Sequence, residues 1–307
     1  MTDKKVAVII PIYHPDGKFN SLLKKLQEQK NIDFDLYIVD SGSNLSNYES
    51  DLEGLSYQIK ITTPLEFNHG GTRREAAEQC KEYPFLIYMT QDAIPADEYA
   101  LSHLIAPFEK NTQIGCSYGR QLPNSDASIM AAHARLFNYS KQSQLKEMKD
   151  AKRLGIKAVF LSDTFAAYRN KALQAVGNFP SHVILGEDSV VAAKMILTGW
   201  KIAYVADAQV YHSHNYTVFQ EFKRYFDTGA FHAEEPWIRE KFGKAEGEGK
   251  RYVVSEVRYI LQHNPFLLPG MILRDGMKFL GYRLGLKEKS LSTGLKKKIS
   301  MNPYYWE

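Results

Sequence analysis

Asp92 follows the apolar run Phe85 to Met89, in the segment Tyr88-Met89-Thr90-Gln91-Asp92-Ala93-Ile94-Pro95. Such a run reads as a strand buried on both faces. In open α/β sheets ligands bind beyond the carboxyl ends of the strands. A carboxylate there can hold Mg2+ or Mn2+, which prefer hard oxygen ligands, against a diphosphate. An isolated aspartate at this place can equally be a loop residue capping the helix after Pro95.

Four other sets of residues could do chemistry. His212 and His214, in Val210-Tyr211-His212-Ser213-His214, follow a strand at i and i+2. If the chain is still extended there, both point to one side. A neutral imidazole could then complete a Mn2+ site with Asp92, although paired histidines among aromatics are often structural. Asp188, in Gly186-Glu187-Asp188-Ser189, falls near a helix N-terminus, where negative charge is favoured. It reads either as a cap or as a general base taking the proton of an acceptor hydroxyl. Asp40, in Val39-Asp40-Ser41-Gly42-Ser43, can accept from the imide N–H of a pyrimidine or close an Asx turn. Phe67-Asn68-His69-Gly70-Gly71-Thr72-Arg73-Arg74 opens a helix with a glycine pair and an arginine, suited to a phosphate or nucleotide. It matches neither the Walker pattern nor the dinucleotide fingerprint.

These residues must be carried by a βα alternation. Strands are expected at Lys5 to Pro11, Phe34 to Val39, Tyr57 to Thr63 (ending at Pro64) and Phe85 to Met89, with helices at Asn20 to Gln29 and Gly71 to Lys81. Right-handed crossovers put these strands in one parallel sheet, whose carboxyl edge collects Tyr13, Asp40, Asn68 and Asp92. Further on, Ile114 to Gln121, Val159 to Tyr168 and Lys201 to Val205 read as strands. Residues 124–153 read as a variable loop and helix. Val190 to Leu197 reads as a helix ended by Gly199, and a helix starts at Val218. A soft boundary falls at Glu246-Gly247-Glu248-Gly249. The division expected is 1–245 for the catalytic domain, with a nucleotide-binding half to about 120 and an acceptor-binding half after it, then a helical segment 246–307.

The 307 residues suffice for one large domain and an appendage. A net charge of +4 is too small to argue for nucleic acid, and nucleic acid is not expected as a partner. Cys80 and Cys116 lack metal-type spacing, which points to a reducing compartment. Val6 to Ile12 is too short for a signal peptide, and no apolar run approaches the ~20 residues of a membrane span. The expected location is therefore cytoplasmic. The last forty residues are basic: Arg274, Lys278, Arg283, Lys287, Lys289, Lys296, Lys297 and Lys298 against Asp275, Glu288 and Glu307.

The chain resembles the family 2 glycosyltransferases with the GT-A fold. The matching segments are Val8-Ile9-Ile10-Pro11-Ile12-Tyr13, Val39-Asp40-Ser41-Gly42-Ser43, Thr90-Gln91-Asp92 and Gly186-Glu187-Asp188, in order and spacing. Within the family it is most similar to bacterial rhamnosyltransferases of cell-wall rhamnan or O-antigen synthesis. That likeness rests on residues 67–73, 90–95, 118–121 and 210–214 and on the ending Ser300-Met301-Asn302-Pro303-Tyr304-Tyr305-Trp306. The resemblance implies an α/β GT-A fold with a mostly parallel sheet and a C-terminal helical segment. It implies that Asp40 reads the base, and that Pro11, Tyr13, Asn68, Arg73, Gln91 and Asp92 also contact the donor. Asp92 would be the metal aspartate of the DxD motif, with Mn2+ or Mg2+, and His212 the distal ligand, His214 being the second choice. Asp188 would be the catalytic base, and Arg120, Gln121, Asp163 and Glu187 the acceptor contacts. Thr90 stands where the motif has its first aspartate. The implied reaction is an inverting transfer from dTDP-β-L-rhamnose.

Rival readings are a family 2 transferase using another nucleotide sugar, such as a UDP-hexose, and a non-catalytic nucleotide-sugar-binding assembly subunit, for which Thr90 is the only support. Leu273, Met277, Leu280 and Leu284 form one helical stripe with basic flanks. This fits a helix lying on an anionic membrane surface, since acceptors in such families are lipid-linked, and places the protein on the inner face of the bacterial plasma membrane. The alternatives are packing on the catalytic domain or a homodimer contact.

Overall fold

The computed structural model describes residues 5–43, 48–63, 67–243 and 247–306. Pro64, the expected end of the third strand, and Glu246, at the expected boundary, lie outside them. The strands are β1 (Val6–Ile12), β2 (Phe34–Asp40), β3 (Tyr57–Ile61), β4 (Phe85–Met89), β5 (Ile94–Pro95), β6 (Ile114–Leu122), β7 (Gln144–Lys146), β8 (Phe165–Arg169) and β9 (Lys201–Tyr211). The helices are α1 (Gly17–Gln27), α2 (Glu49–Leu52), α3 (His69–Gln79), α4 (Ala100–Lys110), α5 (Ile129–Asn138), α6 (Ala151–Leu154), α7 (Asn170–Ala175), α8 (Glu187–Leu197), α9 (Val218–Glu234), α10 (Pro236–Phe242), α11 (Glu248–His263), α12 (Leu268–Gly285) and α13 (Thr293–Ile299).

All the strands join one sheet in the order β3-β2-β1-β4-β8-β6-β9-β5, with β7 on β9. The side chains of β1 alternate between two apolar layers. Val6, Val8 and Ile10 meet Phe19, Leu22 and Leu23 of α1 and Leu104 and Phe108 of α4. Ala7 and Ile9 meet the layer that includes Ala76 and Ala77 of α3 and Val190 and Val191 of α8. With both faces covered, such strands have no need for polar alternation, which is why their sequences are continuous apolar runs.

β3, β2, β1 and β4 are parallel, and so are β6 and β9. β8 runs antiparallel between β4 and β6, with Met89 opposite Phe165. This reversal places the residues that precede β8 at the edge where β4, β6 and β9 end. The expected strand over 159–168 is therefore corrected: Gly155–Val159 is a 3-10 turn and only Phe165–Arg169 is strand. Ala158, Val159 and Leu161 are apolar because they are buried, not because they are extended.

The C-terminal helices pack on this body. A Cβ on Gly281 would lie 2.3 Å from Phe222 O, and one on Gly285 2.1 Å from Phe226 O, so glycine is what lets α12 press against α9. Trp306 is buried in the same core layer as α8 and α9. The outward face of α12 is apolar: Ile272, Leu273, Phe279 and Leu280 are 65, 59, 66 and 47% exposed. Leu284, in the expected stripe, packs on the core instead. Among the described residues no helix is long and apolar enough to cross a membrane.

Candidate active site

A cleft of about 660 Å³ opens at the carboxyl edge of β4, β6 and β9. Each strand delivers one wall residue: Asp92 after β4, Gln121 from β6, His212 just past β9, and Asp163 just before the reversed β8. Asp188 comes from the first turn of α8 and lines the same cleft as Asp92. The edge is stitched by backbone bonds from His212 N–H to Leu122 O (2.9 Å) and from Thr90 N–H to Thr164 O (3.3 Å).

Asp92, His212 and His214 converge in this cleft. Asp92 Oδ2 lies 3.5 Å from His212 Nε2 and 3.9 Å from His214 Nε2, and the three ligand atoms fall within 4.8 Å of one another. The two oxygen–nitrogen spacings exceed hydrogen-bond length. They match ligand atoms that share one ion at ~2.1 Å each, which stand roughly 3–4.2 Å apart. The residues therefore fit a divalent cation, and one carboxylate with two imidazoles suits Mn2+ better than Mg2+. Both histidines are held neutral, as a ligand must be, by burial first. His214, Arg135 and Arg224 push His212 further down, whereas Asp92 partly opposes the shift at His214.

Asp188 lines the same cleft from the start of α8. Its oxygens accept from the N–H groups of Ser189 (2.6 Å) and Asp163 (3.3 Å). Desolvation, then the charge of Glu187, pushes its carboxyl up to about 7, against the pull of those N–H groups. Two other carboxylates nearby are engaged by a buried arginine: Arg73 Nε lies 3.1 Å from Asp163 Oδ2, and Nη1 3.1 Å from Glu187 Oε1. Tyr168 donates to Asp163 Oδ1 (2.5 Å) and Tyr88 to Arg73 O (2.8 Å). Arg73, expected to face a phosphate, thus has its guanidinium among carboxylates, while Asp163 and Glu187 line the cleft with it.

The remaining expected residues fall into two groups. Pro11, Tyr13, Asp40 and Gln91 lie along the ends of β1, β2 and β4, beside the cleft. Gln91 exchanges two bonds with the backbone of Tyr13 (2.8 and 3.1 Å) and ties the β1 and β4 loops together. Asp40 Oδ1 accepts from Ser43 N–H (2.8 Å), the turn bond expected of it. Asn68 caps α3 through Gly71 N–H (2.5 Å). Arg120 points to the opposite face of β6 from Gln121 and does not line the cleft. Sequence reasoning missed Arg135 of α5 and Arg224 of α9, which line the cleft and face both histidines. Arg135 lay in a stretch read as variable, and Arg224 stands beside Lys223 on α9, where nothing in the sequence singles it out.

With this geometry in place, comparison with known proteins identifies the class. Residues 3–226 match the profile of the family described as Glycosyltransferase like family 2. The chain belongs to that family and is a glycosyltransferase of GT-A fold. It is 45% identical over 301 residues to the O-antigen chain rhamnosyltransferase WbaN of Salmonella anatum, covering 97% of this chain and 95% of that one. It is 44% identical over 304 residues to RfbN, of the same description, from Salmonella typhimurium strain LT2, covering 98% and 96%. Among solved structures, the mannosyltransferase PcManGT of Pyrobaculum calidifontis, in complex with GDP-Man and Mn2+, aligns with a TM-score of 0.57 at 15% identity, covering 98% and 85%. TarS 1–349 of S. aureus in complex with UDP-GlcNAc gives 0.55 at 15%, covering 93% and 91%.

Proposed function

We propose that the chain is a rhamnosyltransferase of O-antigen synthesis that moves L-rhamnose from dTDP-β-L-rhamnose to a hydroxyl of a lipid-linked saccharide, with inversion. The observation that supports this reading is one cleft lined both by Asp92, His212 and His214, which fit a cation, and by Asp188. The sugar assignment rests on the names of the relatives at 44–45% identity. Asp188 takes the proton of the acceptor hydroxyl as its oxygen bonds to the anomeric carbon. The bond from that carbon to the diphosphate breaks, and the nucleoside diphosphate carries away the electron pair. Attack from the opposite face turns a β-linked donor into an α-linked product. Asp163 and Glu187 face Arg73, and burial pushes the Asp163 carboxyl well up, so among the described residues Asp188 is the cleft carboxylate with no cation on it and a carboxyl pushed up to about 7. A bound Mn2+ or Mg2+ supplies positive charge to the leaving diphosphate. Asp92, His212 and His214 would hold the ion, and Arg135 and Arg224 add charge beside it. Asp40 and Tyr13 receive the base and ribose along the β1–β2 edge.

In this reading residues to about 120 bind the nucleotide, residues 121–245 the acceptor while also lending His212, His214, Arg135 and Arg224 to the donor's diphosphate, and residues 246–307 seat the protein on an anionic membrane. The apolar outer face of α12, with exposed Arg283 in its last turn and exposed Lys287 just past its end, supports that seat. The deciding experiment offers dTDP-β-L-rhamnose, UDP-hexoses and GDP-mannose with a lipid-linked acceptor and reads product linkage by NMR. The expected product is an α-rhamnoside from the dTDP donor. Turnover only with another donor overturns the sugar assignment, and a β-linked product overturns the single-displacement mechanism.

A further inference from the structure

We infer that Gln121 is a positioning residue of the cation site, fixing His212 in the tautomer that presents Nε2 to a metal. The inference rests on the reading of Asp92, His212 and His214 as cation ligands and deepens it.

Arg135 Nη1 lies 2.7 Å from one end of the Gln121 amide. A guanidinium has only donors, so the amide atom that faces it must be the carbonyl oxygen. The same oxygen lies 2.9 Å from His212 Nδ1. An acceptor there requires a proton on Nδ1, and a neutral imidazole then has a bare lone pair on Nε2. That nitrogen is the one 3.5 Å from Asp92 Oδ2. Two lone pairs aimed at each other repel, and a cation between them turns the repulsion into coordination.

The amide cannot turn over easily. Its nitrogen donates to Ser162 Oγ at 3.0 Å, and the residue is 2% exposed. With both oxygen lone pairs used by Arg135 and His212, the amide has at most one N–H left for a sugar hydroxyl. Its neutrality also matters. A carboxylate at 121 would orient His212 equally well but would cancel the charge of Arg135, which faces the same cleft. Partners of this kind, behind a metal-ligating histidine, tune affinity by 10–100-fold when removed.

The test uses full-length wild type, Gln121→Leu and Gln121→Glu, with circular dichroism to confirm folding. Mn2+ is titrated without sugar nucleotide, and free Mn2+ is read by electron paramagnetic resonance. Gln121→Leu should weaken Mn2+ binding by roughly 10–100-fold, and Gln121→Glu should retain it. In metal-free wild type, long-range 1H–15N correlation of the imidazoles should show His212, assigned by its loss in His212→Asn, protonated on Nδ1. Wild-type Mn2+ affinity in Gln121→Leu overturns the inference, as does an Nε2–H tautomer in wild type. If Gln121→Leu does not fold, the wild-type tautomer decides. If wild type binds no Mn2+, the cation reading falls, and the tautomer measurement judges the Gln121 contact separately.

Discussion

The backbone N–H of Asp163 donates to Oδ2 of Asp188 at 3.3 Å. The proposed base is thus aimed by the main chain of a neighbour whose own carboxylate is held by Arg73 and Tyr168. The N–H groups fix the direction of this base, while burial and Glu187 outweigh their pull and keep its proton affinity high.

That arrangement sets the pH profile. Below about 7 Asp188 carries its proton and cannot accept another. kcat/KM should therefore climb as pH rises and level off above about 7. Asp188→Asn should flatten that limb and lower transfer by roughly 10²–10⁴-fold. The stability effect has the opposite sign. A carboxylate raised above its unfolded pKa of ~3.9 contributes stability that is complete below that pKa and lost as pH rises through about 7. At pH 8 Asp188→Asn should melt no lower than wild type, and a lower melting temperature would count against the buried base.

Arg73→Met should be among the most damaging single changes, for structural reasons. It leaves Asp163 and Glu187, 3 and 7% exposed at the side chain, without their cation. Removing one partner from such a buried pair costs about 3–5 kcal/mol. Urea unfolding should show that loss, and Arg73→Lys should show a smaller one. A loss under ~1 kcal/mol in Arg73→Met would mean that the carboxylates are not charged together.

Chelation should abolish transfer, and Mn2+ should restore it better than Mg2+, because two of the three ligands are imidazoles. Asp92→Asn and His212→Ala should each weaken Mn2+ binding in a titration that needs no turnover. Full activity after exhaustive chelation would remove the cation from the mechanism.

Replacing Ile272, Leu273, Phe279 and Leu280 together by serine should abolish flotation with anionic vesicles and leave transfer to a soluble acceptor unchanged. Removing the chain after Asn264 is a poorer test, since it also strips Gly281, Gly285 and Trp306 from α9 and the core. If light scattering instead shows wild type to be a dimer and the serine variant a monomer, with flotation equal in both, the face is a contact between copies.

The sequence was most informative where burial is two-sided. β1, β2 and β4 fall where the apolar runs place them, because a strand covered on both faces has nothing else to encode. Periodicity failed at residues 159–168, where a buried 3-10 turn and a buried strand have the same composition. It also split β9, because Asp207 lies in a bulge of that strand, where residues 206–208 fall between the partners of Gly119 and Arg120 of β6. That Asp92, Asp188 and His212 would face one cleft was legible because each stands at the end of an element. Arg135 and the true partners of Gln121 and Arg73 were not, because each is joined to its partners by folding: residue 121 meets 135, 162 and 212 only when β6, α5 and β9 are assembled.

One consequence follows from the inverted polarity of α12, whose lipophilic residues face outward while Arg274 and Lys278 line the cleft. A helix with its side chains is about 10–12 Å across. Seated in a bilayer surface, this one would act as a spacer of fixed thickness between acyl chains and catalytic chamber. An acceptor would then need enough glycan beyond its lipid anchor to span that gap, so a ladder of acceptors of increasing length should show a threshold rather than a gradual rise.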